Sequence, residues 1–151
     1  MSPRLSRSQL ATYTYFHICA RGNNRQDIFL DNKDRLRYLS VFEKCRLRFA
    51  LQCFAYCLMS NHIHLLCRAP SIRTLSKAMH TTHVSYVMYF NRRHNRSGHL
   101  FQDRFTSWVI KDEHHLFEAK DYIENNPVKA GLTRIKERFE WSSASTETVL
   151  I

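Results

Sequence analysis

Along this chain the hydrophobic period switches between two residues and 3.6 in an order that few folds accommodate. Over residues 13–21, Phe16, Ile18 and Ala20 alternate with Tyr15, His17, Cys19 and Arg21, as in a strand with one buried face. Gly22-Asn23-Asn24 closes that strand as a loop. Asp31 is placed to cap a helix, and Leu39, Phe42, Cys45 and Phe49 recur at helical spacing, predicting a helix near 32–48. Residues 51–58 and 62–69 read as two strands around Met59-Ser60-Asn61, a hairpin pattern. Ser71 or Thr74 caps a second helix with a buried stripe of Leu75, Met79, Thr82, Tyr86 and Tyr89. That helix ends in Arg92-Arg93-His94-Asn95-Arg96 before Gly98. Residues 105–110 form a fourth strand, and Asp112 caps a third helix running to about Asn125.

Strand, helix, strand, strand, helix, strand is the split β-α-β order, so the expected class is α+β: a ferredoxin-like sandwich with an antiparallel sheet and an added C-terminal helix. In that fold the first and third strands are neighbours at the centre, and right-handed crossovers place the first two helices on one face. Phe16, Ile18, Ala20, Ile63, Leu65 and Cys67 suit the helix-covered face. His17, Cys19, Arg21, His62, His64 and Arg68 then share the opposite face. So many imidazoles and guanidiniums build a poor core but a sensible site, part of which the third helix could cover.

A length of 151 residues fits one domain with a real core. The expected division is a basic N-terminal arm over 1–12, the domain over 13–143 and a short tail over 144–151. A formal net charge of +10 attracts polyanions, without separating DNA from RNA or an acidic membrane surface. No apolar stretch approaches the ~20 residues of a membrane span, and the N-terminus lacks an apolar signal core, so a cytoplasmic, nucleoid-associated protein with no membrane partner is expected. The five cysteines include no Cys-x-x-Cys pair, which disfavours a zinc ribbon or a disulfide framework and makes them small core hydrophobes.

Two segments carry chemistry. In His62-Ile63-His64, strand alternation sends both imidazoles to one side, where they could share a metal ion, although two surface histidines on an edge strand would read the same way. In Asp121-Tyr122-Ile123-Glu124-Asn125-Asn126-Pro127, helical spacing can align Tyr122 with Asn126. A phenol oxygen can attack phosphorus, but its ordinary pKa of about 10 demands activation. Asn126 before Pro127 also fits a plain helix N-cap with proline at the first helical position. His80 and His83 read as a surface or packing pair. Arg21, Arg25, Arg92, Arg93, Arg96, Arg104 and Lys129, interleaved with Tyr89, Phe90, Phe101 and Trp108, fit the single-strand recipe of charges along the backbone and rings on the bases.

Several segments resemble the single-tyrosine HUH transposases, specifically the REP-associated tyrosine transposases. They are His17-Ile18-Cys19-Ala20-Arg21-Gly22-Asn23-Asn24-Arg25, Tyr56 through Leu66, Tyr89-Phe90-Asn91-Arg92-Arg93, Gly98 through Phe105, Tyr122 through Gly131, and Trp141-Ser142-Ser143. The resemblance implies a ferredoxin-like nuclease domain in which His62, His64 and Asn126 bind a divalent metal, Mg2+ or Mn2+, and Tyr122 is the nucleophile. It implies cleavage of single-stranded DNA beside hairpins of repeated extragenic palindromes, through a 5′-phosphotyrosine that frees a 3′-hydroxyl and stores the energy for rejoining. Relatives occur as monomers and as dimers, so a homodimer is one expected assembly. Ser60 stands where many relatives have proline, and Ala144 replaces a frequent tyrosine. His17 lies outside this transfer; its strand should lie beside that of the two histidines, where it could position a phosphate or a metal-bound water.

Two other readings compete: a catalytically silent hairpin-binding protein or repressor on the same scaffold, and an RNA-binding ferredoxin-like module. The complete set of His62, His64 and Tyr122 argues against the first. The polar, histidine-bearing sheet face argues against the second, which would use aromatics on its central strands.

Overall fold

A computed structural model describes residues 14–145; the arm over 1–12, Tyr13 and the tail beyond Ser145 lie outside the described residues. In chain order the elements are β1 (Thr14–Arg21), α1 (Asn32–Arg48), β2 (Gln52–Leu58), β3 (His62–Ala69), α2 (Ile72–Arg93), β4 (Thr106–Val109), α3 (Glu113–Glu124) and the single turn α4 (Asn126–Lys129). Caps set the helix starts: the side chains of Asp31, Ser71 and Asp112 accept the amides of Asp34, Thr74 and His115.

The four strands form one sheet in the order β2-β3-β1-β4, every pair antiparallel. This is the expected ferredoxin-like arrangement, with β1 and β3 at the centre. Alternation buries Phe16, Ile18, Ala20, Ile63, Leu65 and Cys67 beneath α1 and α2, where Tyr38, Phe42, Met79, Tyr86 and Phe90 complete the main core. Packing of this kind stabilises by roughly 1.5–3 kcal/mol per fully buried large side chain. The opposite face is covered only in part. Ala119 and Ile123 of α3 pack on Ala55, Cys57, Met59, Leu66 and Ile110, leaving the β1–β3 end that carries the histidines outside this second core.

The segment after α4 returns to the sheet edge. Trp141 enters the main core, its carbonyl accepts the Leu58 amide at 2.8 Å, and Ser142 bridges to Cys57. All five cysteines are free, and Cys45, Cys57 and Cys67 are buried. His83 is a packing residue, stacked on Phe101 at 4.2 Å and hydrogen-bonded to the Tyr38 hydroxyl. No helix among the described residues is long and apolar enough to cross a membrane.

Candidate active site

The pleat of β1 and β3 brings the first part of the site together. Register pairs Arg21 with His62 and Cys19 with His64, while His17 lies diagonally across from His64 and pairs on its other side with Trp108 of β4. The His62 and His64 rings stand 5.2 Å apart and nearly perpendicular. His17 Nε2 lies 3.0 Å from His64 Nδ1.

The helix α3 supplies the second part. With Ile123 packed on the sheet, Tyr122 turns toward the histidines, its ring 5.7 Å from both His64 and His17. It remains 46% exposed, open to solvent. Lys129 Nζ sits 5.2 Å from the centre of that ring. The cap position that Asn126 might have occupied is taken by Asn125, and Asn126 is the first residue of α4 with Pro127 next. Freed from capping, the Asn126 side chain places Oδ1 3.3 Å from His62 Nε2.

That contact joins two acceptors. His62 Nδ1 lies 2.7 Å from Asn61 Oδ1, so it must hold the ring proton that makes this hydrogen bond. Burial lowers the pKa of His62, aided by the Arg21 charge and opposed by Asn126, so the neutral ring has only a lone pair at Nε2. A lone pair facing an amide oxygen is a natural place for a cation. Burial, then the neighbouring charges of His17, His62 and Arg21, brings His64 down to about 3. His17 falls to about 4, from burial and then His115. All three imidazoles are therefore neutral near pH 7, the form that binds metals. Among the described residues no three His, Cys, Asp or Glu side chains form a group that could hold a metal ion; the donors that could face one here are His62, His64 and the Asn126 amide oxygen. Nitrogen and oxygen donors of this kind are compatible with Mg2+ or Mn2+ without selecting between them.

The sequence matches the family described as IS200-like transposase over residues 11–126. The chain belongs to the IS200-like transposase family. A REP-associated tyrosine transposase of Haemophilus influenzae is 24% identical over 120 residues, a stretch covering 70% of this chain and 66% of that relative, just under two thirds of its length. A solved REP-associated tyrosine transposase bound to a REP hairpin matches with a TM-score of 0.69 at 18% identity, over 95% of this chain and 82% of that one. A transposase from Deinococcus radiodurans matches with a TM-score of 0.55 at 18% identity, over 82% of this chain and 97% of that one. At such identities the structural likenesses establish the shared fold.

The basic residues divide into four groups. Arg21 and Lys129 border the site. Arg25 lies in the turn after β1, which packs on the hairpin tip: the Gly22 amide donates to the Asn61 carbonyl at 2.8 Å. Glycine is required there because a Cβ would stand 2.0 Å from the Gln26 carbonyl oxygen. Arg96 is tied into the adjoining loop through Asn91, Gln26 and the His99 carbonyl. Arg93 is committed elsewhere: its guanidinium spans the carboxylates of Asp31 and Asp34. Arg92 and Arg104 remain exposed. Of the aromatics, Phe90 and Phe101 are buried and Tyr89 donates to Asp34, whereas Trp108 is 46% exposed with its ring 5.0 Å from His17.

One residue behind the site was not singled out from the sequence. Glu124 is only 2% exposed, and it accepts from the Ser143 hydroxyl at 2.8 Å and pairs with Lys120 and Lys136. It ties the helix bearing Tyr122 to the returning C-terminal segment. Its sole sequence signal was a carboxylate next to the buried Ile123, with Lys120 four residues earlier.

Proposed function

We propose that this chain cuts and rejoins single-stranded DNA beside hairpins, with Tyr122 as nucleophile and His62, His64 and Asn126 as holders of a divalent cation, Mg2+ or Mn2+. The reading rests on one observation above all: an exposed phenol stands against the His64 imidazole, and His62, its neighbour two residues back on the strand, faces an amide oxygen. Family membership supports the class of chemistry, and the hairpin bound to the structural neighbour supports the class of substrate.

The Tyr122 oxygen attacks the scissile phosphorus. The bond to the 3′-oxygen breaks, leaving a 5′-phosphotyrosine and a 3′-hydroxyl that can reverse the exchange. A bound divalent cation supplies charge neutralisation at the phosphate and eases loss of the phenol proton. Lys129, over the Tyr122 ring, and Arg21, opposite His62, carry fixed positive charge to the same place, and Trp108 offers an exposed face for a flanking base. The domain spans 13–143 in this reading, and it works as a monomer or a homodimer.

Incubation of the protein with labelled hairpin-bearing single strands and Mn2+ tests the proposal. A covalent adduct that survives a denaturing gel is expected from the wild type and none from Tyr122→Phe, which should bind the same DNA with similar affinity. An adduct formed by the Phe variant at the normal rate assigns the nucleophile elsewhere. Tight binding without any adduct from the wild type makes the chain a hairpin-binding protein.

A further inference from the structure

Each candidate histidine ligand presents Nδ1 to a polar side chain. Asn61 Oδ1 lies 2.7 Å from His62 Nδ1, and His17 Nε2 lies 3.0 Å from His64 Nδ1. We propose that Asn61 and His17 are positioning residues that set the tautomers of the two ligands: each accepts an Nδ1–H, so both Nε2 lone pairs are turned over to the cation. The proposal rests on the metal reading above, but the tautomers themselves can be read without metal.

The assignment follows from donor inventory. A neutral imidazole carries one N–H, and the hydrogen bond made by one nitrogen decides the state of the other. The Asn61 amide is oriented by a second contact, its Nδ2 donating to the Arg25 carbonyl at 3.5 Å, which leaves Oδ1 for His62. An amide oxygen only accepts, so His62 must hold its proton at Nδ1. Between His17 and His64 one ring donates and the other accepts. Were His17 the donor, His64 would carry its proton at Nε2 and could not offer that nitrogen to a cation. Metal binding through Nε2 therefore requires His64 to donate and His17 to accept, with the His17 proton on its own Nδ1. The sheet holds His17 in place: it sits on a central strand between the rings of Trp108 and Tyr122, at 5.0 and 5.7 Å. Partners of this kind typically change metal affinity about 10- to 100-fold when removed.

Imidazole nitrogen NMR on the metal-free, full-length chain reads the tautomers directly and needs no variant. His62 and His64 are expected as Nδ1–H forms, against the preference of a free imidazole. Calorimetric titration with Mn2+ then compares variants whose melting curves match the wild type. His17→Phe should shift His64 to the Nε2–H form and weaken Mn2+ binding about 10- to 100-fold. His17→Gln, which keeps an oxygen acceptor, should recover most of the loss, and Asn61→Ala should change His62 while sparing His64. An Nε2–H form of His64 in the wild type overturns the proposal. So does a His62→Ala-sensitive Mn2+ site that ignores His17→Phe, or equal losses in His17→Phe and His17→Gln. Expected tautomers with no Mn2+ uptake by the wild type would instead overturn the metal reading itself, and the purpose assigned to these residues with it.

Discussion

The two halves of the candidate site are mounted differently. His62 and His64 stand on β3, which is paired on both sides, and His64 is 6% exposed. Tyr122 stands on α3, which reaches the sheet through Ala119 and Ile123 and is anchored from behind by Glu124. A strand between two others cannot shift without breaking ladder hydrogen bonds and the main core. A helix resting on a small second core can open locally at lower cost. In the proposed mechanism the difference is a division of labour: the candidate ligands sit on a strand paired on both sides, and the candidate nucleophile sits on a helix that rests on the smaller second core.

The largest effects should come from the strand side. His62→Ala and His64→Ala are each expected to abolish metal-dependent adduct formation while leaving the fold intact, measured by gel and by thermal melting. Excess Mn2+ should partly rescue one of them, since two donors remain. Wild-type cleavage undiminished by a chelator would break the comparison, because the strand would then hold nothing.

Next in size are the two buried carboxylate anchors. Glu124→Ala removes a charged hydrogen-bond acceptor that Ser143 and two lysines use, and a loss of about 1–3 kcal/mol in chemical denaturation is expected. It should also slow adduct formation with little change in Mn2+ affinity. Equal damage to both activities would mean that the two halves are one rigid unit. Arg93→Ala should lower the melting temperature, because it leaves the fully buried Asp34 without its guanidinium partner. Burial alone would raise the Asp34 pKa, but the Leu30 amide, Arg93, His94 and Tyr89 outweigh it and hold the carboxyl below its usual range.

A subtler contrast lies in pH. His17, His62, His64 and His83 all have pKa values lowered by burial, so below about 6.5 the unfolded chain binds protons that the folded chain refuses. Metal-free protein should keep a flat melting temperature above pH 7 and lose stability from about pH 6.5 down toward 4. Stability that stays flat until the carboxylates titrate would show that these rings are not kept neutral by the fold. The smallest effect belongs to Arg92→Ala. If Arg92 contacts a phosphate, the log–log salt dependence of single-strand binding should flatten by about 0.7, with melting unchanged and base preference kept. An unaltered slope makes Arg92 a solvated charge.

Much of the site was legible because it follows from short-range geometry. Pairing at period two placed His62 and His64 on one side of a strand, and the spacing of four suggested Tyr122 with Asn126. The ambiguity over Asn126 as a cap could not be resolved that way, because α3 passes into α4 through Asn125 with both residues near helical geometry, a matter of packing against the sheet. Arg93 was grouped with phosphate contacts because a basic run after a helix looks uniform in sequence. Its carboxylate partners lie 59 and 62 residues away.

Local pattern by itself determined the order and type of elements, the caps at Asp31 and Asp112, a choice of Ser71 or Thr74 for the third, and which residues of β1 and β3 share a face. Those follow from backbone periodicity and from hydrogen bonds spanning a few residues, which any window of the chain contains. Only the tertiary structure decided which neighbour each Nδ1 meets, which arginine is spanned by carboxylates, and how far α3 covers the sheet. Each of these is a meeting of side chains from separate elements, set by the register of β1 on β3 and by the return of the C-terminal segment. Asn61 shows both sources at once: adjacency puts it beside His62, but the turn after β1 orients its amide.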